Sequence, residues 1–410
     1  MESSTTFLLA LAVLIGLVNG IDNGLGVKPP MGWRSWNLYG ANVDQKLIEG
    51  IMDGMVRRTR LVDGKPTSLL DLGYKTVGLD DNWQLCGKYG PLKYTYHNTS
   101  SPVVNYARFP DMKAMTNYAH TLGLKAGWYG NNCICSDHCA LESCYKGDVD
   151  ALIAYGYDAV KLDGCGAQRD LDLWATLINK TGKAIEIENC HWGGTIPNST
   201  WCPWNFYRTS GDVRANFDSI LANLRTTIPL AAKNLSTPGC WAYPDMLEVG
   251  CAAGPGGSSD KGLTIQETRS HFGGWAIVSS PLTLSHDVNN DTIADMIWPI
   301  IANPEAIAVN QEYFGFSGSS FSSTVPSQGN AVMAFTCQTG DVTQNSWSFN
   351  TISGSVQFNG LCVDSTNPDQ LMLTTCNGAQ TQKFSYQNRS RFNAFTQVCL
   401  HINTYVYIYI

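Results

Sequence analysis

Between residues 30 and 313, short β-prone runs alternate with longer amphipathic stretches, and the alternation occurs eight times. The runs cover 31–36, 76–80, 125–129, 159–163, 184–188, 205–210, 239–246 and 276–284, with helical patterns between most of them, as at 111–122 and 213–226. Eight strand–helix units over roughly 280 residues predict an α/β fold of the (β/α)8 TIM-barrel type. A doubly wound open sheet is the alternative. It ordinarily carries a glycine-rich phosphate loop after its first strand, and here Gly254, Gly256 and Gly257 follow no such strand.

A chain of 410 residues accommodates one large domain and a smaller one. After Gln311-Glu312 the composition shifts: 315–330 is rich in Ser and Gly, and 346–410 is short-stranded without helical periodicity. The expected plan is a signal peptide at 1–20, a catalytic barrel at 21–313, a linker at 314–345 and a small all-β segment at 346–410. Residues 7–18 form an apolar run, followed by Val18-Asn19-Gly20 as a small-residue cleavage site. That run is shorter than the ~20 residues of a membrane span. A net charge of −7 gives no basic footprint, which argues against a nucleic-acid partner. Fourteen cysteines and the acceptors Asn98, Asn179, Asn198, Asn234, Asn290 and Asn388 fit a secreted or endomembrane, lysosome-like compartment. Cys133, Cys135, Cys139 and Cys144 read as disulfide partners or as a zinc site.

Within the run 159–163, Lys161 and Asp163 are two residues apart in a strand that is otherwise apolar. Side chains at that spacing leave the same face. A cation and an anion on one face near a strand end build a poor core and a good site. Asp212 follows the sixth run, and two carboxylates above a barrel suit glycosidic bond cleavage: one attacks the anomeric carbon, the other protonates the leaving oxygen. Lys161 favours the anionic form of the first, and partial burial is expected to keep the second protonated. Adjacent Asp80 and Asp81, with Trp83 beside them, suit sugar hydroxyls and a ring face, or else a Ca²⁺ site or a simple turn. Trp33 and Trp36 are core residues or sugar platforms.

These motifs resemble glycoside hydrolase family 27, the α-galactosidases. The resemblance runs through Pro29-Pro30-Met31-Gly32-Trp33-x-Ser35-Trp36-Asn37, Leu79-Asp80-Asp81-x-Trp83, Lys161-x-Asp163-Gly164-Cys165 and Arg208-Thr209-Ser210-x-Asp212, in family order. It continues through Pro244-Asp245-Met246, Glu267-x-Arg269-x-His271, Ser280-Pro281-Leu282 and Asn303-Pro304-Glu305. It implies a retaining exo-glycosidase removing terminal α-D-galactose from oligosaccharides or glycoconjugates, with no metal and no cofactor. Asp163 is then the nucleophile and Asp212 the acid/base. Asp80, Asp81, Lys161 and Arg208 bind the sugar, Trp36 is an aromatic wall, and Asp245 supports the site. Cys133 is implied to pair with Cys165, and Cys190 with Cys202.

The chain departs from the family at Asn82, where a cysteine is usual, so that one bridge is lost or moves to Cys86. It departs again at Asn131, and at His191, where a glutamate often selects the sugar's 2-substituent. His191 is read as a substrate contact or a loop residue. Rival readings are a β-L-arabinopyranosidase or an α-N-acetylgalactosaminidase of the same family, and a non-catalytic carbohydrate-binding protein. At the C-terminus, Gly360-Leu361-Cys362-Val363-Asp364, Leu371-x-Leu373-x-x-Cys376 and Gln382-Lys383-Phe384 resemble a ricin-type lectin repeat stapled by Cys362 and Cys376, with the start of another at Val398-Cys399-Leu400. The sequence sets no oligomeric state.

Overall fold

The computed structural model describes residues 21, 23–251, 261–313 and 315–319, together with 347–350, 353, 355–358, 360–367, 370–383, 400–401 and 405–406. The expected signal peptide, most of the linker and the Gly254–Gly257 loop lie outside these residues.

Eight parallel strands form one curled sheet: β1 (Met31–Arg34), β2 (Thr76–Gly78), β3 (Lys125–Gly130), β4 (Ala159–Asp163), β5 (Glu186–Cys190), β6 (Phe206–Arg208), β7 (Trp241–Tyr243) and β8 (Leu282–Leu284). Their spatial order is β7-β6-β5-β4-β3-β2-β1-β8, so each strand through β7 lies beside its predecessor, and β8 returns to pair with β1. Between the outer strands β7 and β8, Leu247 N donates to Thr283 O at 2.8 Å. This arrangement fits a (β/α)8 barrel and excludes the doubly wound order.

Among the described residues, all but one of the longer helices begin where the sequence supplies a side-chain cap. Asp44, Asp111, Asp170 and Asn216 cap α1 (Gln45–Val56), α2 (Met112–Thr121), α4 (Leu171–Lys180) and α5 (Phe217–Arg225). The helix between these, α3 (Glu142–Tyr155), stops at Gly156 with φ +86°, a conformation glycine adopts without strain. Thr264 and Glu267 close a capping box on α6 (Ile265–Ile277). Asn290 and Asn303 cap α7 (Asp291–Ile301) and α8 (Pro304–Gln311). On α1 the buried residues are Ile48, Ile51, Met52 and Met55, the stripe of a helix lying on a sheet.

Two expected elements differ. The helix expected over 213–226 begins only at Phe217, because Val213 N bonds Asp245 Oδ2 and Asn216 serves as the cap. The eighth run is a strand only over Leu282–Leu284, since 276 and 277 end helix α6. Beyond the expected barrel boundary, Ser317 Oγ donates to Ser236 O at 3.1 Å and Gly318 N to Ile277 O at 3.0 Å.

The cysteine cluster resolves into disulfides: Cys133–Cys165 as expected, Cys86–Cys135 and Cys139–Cys144. The expected Cys190–Cys202 bridge is absent. Cys202 pairs with Cys240, and Cys190 is a buried free thiol. The reason is register. Cys190 is the β5 partner of Asp163 and lies inside the barrel, whereas Cys240 immediately precedes β7. In the C-terminal part, the strands β9 (Trp347–Asn350), β10 (Ser355–Phe358), β11 (Leu361–Asn367) and β12 (Gln370–Thr375) form an antiparallel meander closed by Cys362–Cys376.

Candidate active site

The C-terminal ends of the barrel strands gather charge. β4 is buried along its whole length, yet it carries Lys161 and Asp163. Lys161 Nζ donates to Asp80 Oδ2 at 2.9 Å, lies 3.7 Å from Asp163 Oδ2, and sits 5.2 Å from the centre of the Tyr129 ring. Burial works against its charge, but Asp80, with Asp163 and Glu188, outweighs burial and keeps it cationic.

Asp163 is 4% exposed. Burial pushes its carboxyl above the usual range, and Lys161 is the main influence in the other direction. Gly164 N donates to its Oδ1 at 2.7 Å, Asn131 Nδ2 holds its carbonyl, and the Cys190 thiol lies 3.7 Å from Oδ2. That thiol is pushed up by burial first and then by Asp163, so it stays protonated and can donate.

Asp80 and Asp81 take separate partners. Asp80 faces Lys161. Asp81 accepts from Asn82 N at 2.6 Å, Ile134 N at 2.9 Å, Cys133 N at 3.1 Å and Asn132 Nδ2. These contacts fill the lone-pair sites of a carboxylate. Burial raises its pKa to about 6 against those amides.

Arg208, 2% exposed, anchors the far side. Its Nη2 lies 2.8 Å from Asp245 Oδ2 and 3.0 Å from Asp212 Oδ1, and Nη1 lies 3.4 Å from Cys190 Sγ. Asp245 sits at φ +98°, held by Val213 N and Met246 N at 2.8 and 2.7 Å. A non-glycine residue there stores strain of about 1–3 kcal/mol, the kind found where a site must be held. Burial raises the Asp245 pKa to about 6, and Arg208 opposes it. The Asp212 side chain is 64% exposed, so the partial burial expected of it is absent.

Trp36, partly buried, packs against Phe206, Trp241, Tyr243 and Met246. His191 follows β5. Its Nδ1 lies 3.0 Å from Thr195 Oγ1, and its buried Nε2 has no hydrogen-bond partner among the described residues. Burial lowers its pKa to about 4, so the ring is neutral near pH 7. Gly164 leaves little room for a side chain: a Cβ there would meet the Trp192 ring at 3.1 Å.

All the expected catalytic and sugar-binding residues thus lie on the βα loops and strand ends of one barrel; contacts join Asp80, Lys161 and Asp163, and Cys190 links these to Arg208 and Asp212. Sequence reasoning missed Arg34 and Glu188, both buried, with Arg34 Nη2 2.8 Å from Glu188 Oε2. For Arg34 the available signal was a charge in a buried strand, the same signal that exposed Lys161.

Residues 28–312 match the family described as Alpha galactosidase A. The chain is 32% identical over 315 residues to an α-galactosidase of Cyamopsis tetragonoloba, covering 74% of this chain and 69% of that one. It is 32% identical over 308 residues to an α-galactosidase of Oryza sativa, covering 72% and 66%. It thus spans about two thirds of the length of these relatives. Among solved structures, α-galactosidase I of Mortierella vinacea superposes with a TM-score of 0.58 at 26% identity, covering 79% of this chain and 81% of that one.

Proposed function

Since the chain belongs to the α-galactosidase family, glycoside hydrolase family 27, we propose that it is a retaining exo-glycosidase that hydrolyses terminal α-D-galactosyl residues of oligosaccharides or glycoconjugates. The observation that supports this reading is the linked set at the strand ends: Arg208 lies 3.0 Å from Asp212 and 3.4 Å from Cys190, whose thiol lies 3.7 Å from Asp163, with Lys161 and Asp80 beside Asp163.

In the first step an Asp163 oxygen bonds to the anomeric carbon as the C–O bond to the leaving group breaks. Asp212 gives its proton to the departing oxygen. In the second, Asp212 takes a proton from water, the water oxygen bonds to the anomeric carbon, and Asp163 leaves as a carboxylate. Two inversions return the α configuration. Lys161 and the Gly164 amide hold Asp163 as an anion against its burial. Arg208 orients Asp212 and carries the charge that forms on it. Asp80 accepts from sugar hydroxyls, Asp81 sets the loop after β3, and Trp36 offers an aromatic face. His191 Nε2 faces the substituent on C2.

Activity on an aryl α-galactoside with α-galactose as first product supports the reading. A β-product refutes retention. Faster turnover of an aryl β-L-arabinopyranoside or α-N-acetylgalactosaminide reassigns the substrate, and sugar binding by wild type without turnover makes it a carbohydrate-binding protein. Small nucleophiles separate the two carboxylates. Azide should yield β-galactosyl azide with Asp163→Gly and α-galactosyl azide with Asp212→Gly.

Passage through a secretory compartment is proposed on the five disulfides and on the exposed sequon residues Asn98, Asn179, Asn198 and Asn290. Among the described residues no helix is long and apolar enough to cross a membrane. For the C-terminal strands we propose a partial ricin-type repeat. It is supported by the Cys362–Cys376 staple and by buried Gln382, which donates to Asp364 at 3.0 Å and Thr374 at 2.8 Å.

A further inference from the structure

Arg34 on β1 and Glu188 on β5 are 6% and 3% exposed. Strands β2, β3 and β4 separate them in the sheet, so their 2.8 Å contact crosses the barrel interior. Arg34 Nη1 lies 3.8 Å from Asp80 Oδ2, the oxygen that also accepts from Lys161. Lys161 and Glu188 are themselves register partners on β4 and β5. Two cations and two carboxylates therefore alternate around one ring under the pocket: Arg34, Glu188, Lys161 and Asp80. Gly78, the β2 partner of Arg34, makes room for it, since a Cβ there would lie 3.2 Å from Arg34 Cζ.

Stability does not explain such a pair. Desolvating both charges offsets most of their attraction, and apolar residues of similar volume often serve as well or better. Nor is the guanidinium saturated: Nη1 and Nε have no hydrogen-bond partner among the described residues. Its unbonded side faces Asp80. Burial opposes its charge, and Glu188 and Asp80 sustain it. Lys161 faces Asp80, Cys190, Asp163 and Glu188.

We propose that Arg34 and Glu188 are positioning residues of the hydrolytic site: the pair fixes Asp80 for the sugar hydroxyls and sets how Lys161 is shared between Asp80 and the nucleophile Asp163. This rests on the function proposed above. With Arg34 neutral, Glu188 draws Lys161 away from Asp163. With Glu188 neutral, Arg34 turns to Asp80 and releases Lys161 towards Asp163.

The test is kcat/KM against pH for Arg34→Gln, Glu188→Gln and the double variant, with galactose affinity by calorimetry and a thermal melt. The wild type's turnover of an aryl α-galactoside is measured first and judges the function alone; the variants are read relative to it. The acid limb of kcat/KM reports the free enzyme's nucleophile. It should move up by about half a unit or more in Arg34→Gln and down by a similar amount in Glu188→Gln. Galactose affinity should fall roughly 10-fold in each. The double variant should regain the wild-type limb. Single variants with lower melting temperatures but unshifted limbs and unchanged affinity would overturn the proposal, as would shifts in the same direction. Should Arg34→Gln not fold, Glu188→Gln decides alone, because it removes a charge at constant shape: a lowered limb supports the pair and an unmoved one refutes it.

Discussion

The ammonium of Lys161 stands 3.7 Å from the carboxylate of Asp163, two residues further along the same buried strand. It is the largest influence that counters the rise in the Asp163 pKa caused by burial. Lys161→Gln should therefore leave Asp163 protonated to higher pH. The acid limb of kcat/KM should move up, and kcat/KM at its optimum should fall on the order of 100-fold, as on removal of a preorganised charge partner. Rate profiles on an aryl α-galactoside from pH 3 to 8 check this. An unmoved acid limb would separate Lys161 from the nucleophile's ionisation.

A second buried network predicts the pH dependence of stability. His97, fully buried, lies 2.5 Å from Asp137 through Nδ1 and 3.0 Å from Asp148 through Nε2. Burial acts against its charge, but Asp148 and Asp137 outweigh burial and raise its pKa to about 9. A folded pKa above the unfolded value of about 6.5 means the contribution is complete below pH ~6.5 and is lost as pH rises through about 9. Its size is on the order of 3 kcal/mol at most. Urea titrations of wild type should show stability falling between pH 6.5 and 9. His97→Gln should be less stable at pH 6 and lack that slope.

The disulfide pattern gives a covalent check. Peptide mapping without reduction should recover Cys202 joined to Cys240, and a Cys190 thiol that alkylates only after denaturation. The Cys202–Cys240 bridge closes 38 residues of sequence. Its loss in Cys240→Ser should cost about 3–4 kcal/mol in the chain-entropy view. Cys190→Ser should leave the disulfide count intact. A Cys190–Cys202 peptide would restore the pairing that family resemblance implies.

The legibility of the fold follows from where the physics is local. All eight strands stood out because alternating short apolar runs and capped helices leave a direct trace. Lys161 and Asp163 stood out because they interrupt an apolar run. Glu188 did not, because Glu186-Ile187-Glu188 alternates, and alternation reads as a strand with one solvated face. Here the inward face is a polar pocket floor, and only closure of the barrel brings Arg34 across to it. The partner of Cys202 was equally non-local. The family resemblance implied Cys190, while strand register turned that thiol inward beside Asp163. Asp212 was found, but its exposure was not, since loop burial depends on neighbours that spacing does not encode.

His191 carries the remaining question of specificity. Its Nδ1 is engaged by Thr195, so the ring is oriented, and its buried Nε2 has no hydrogen-bond partner among the described residues. Burial, with a smaller effect from Arg169, lowers its pKa to about 4. The imidazole is therefore neutral through the mildly acidic range and offers one hydrogen bond, not a charge. His191→Glu should introduce a carboxylate and strengthen hold on a free 2-hydroxyl. It should raise the preference for α-galactoside over α-N-acetylgalactosaminide by about 10-fold, the worth of one hydrogen bond to a charged group. His191→Ala should flatten that preference. Thr195→Val should show a weaker version of the same loss, because it releases the ring without removing it. kcat/KM for the two aryl glycosides, measured in each variant at one pH, gives the ratio directly. A ratio unchanged in both His191 variants would make the residue a loop element and move the choice of sugar elsewhere in the pocket.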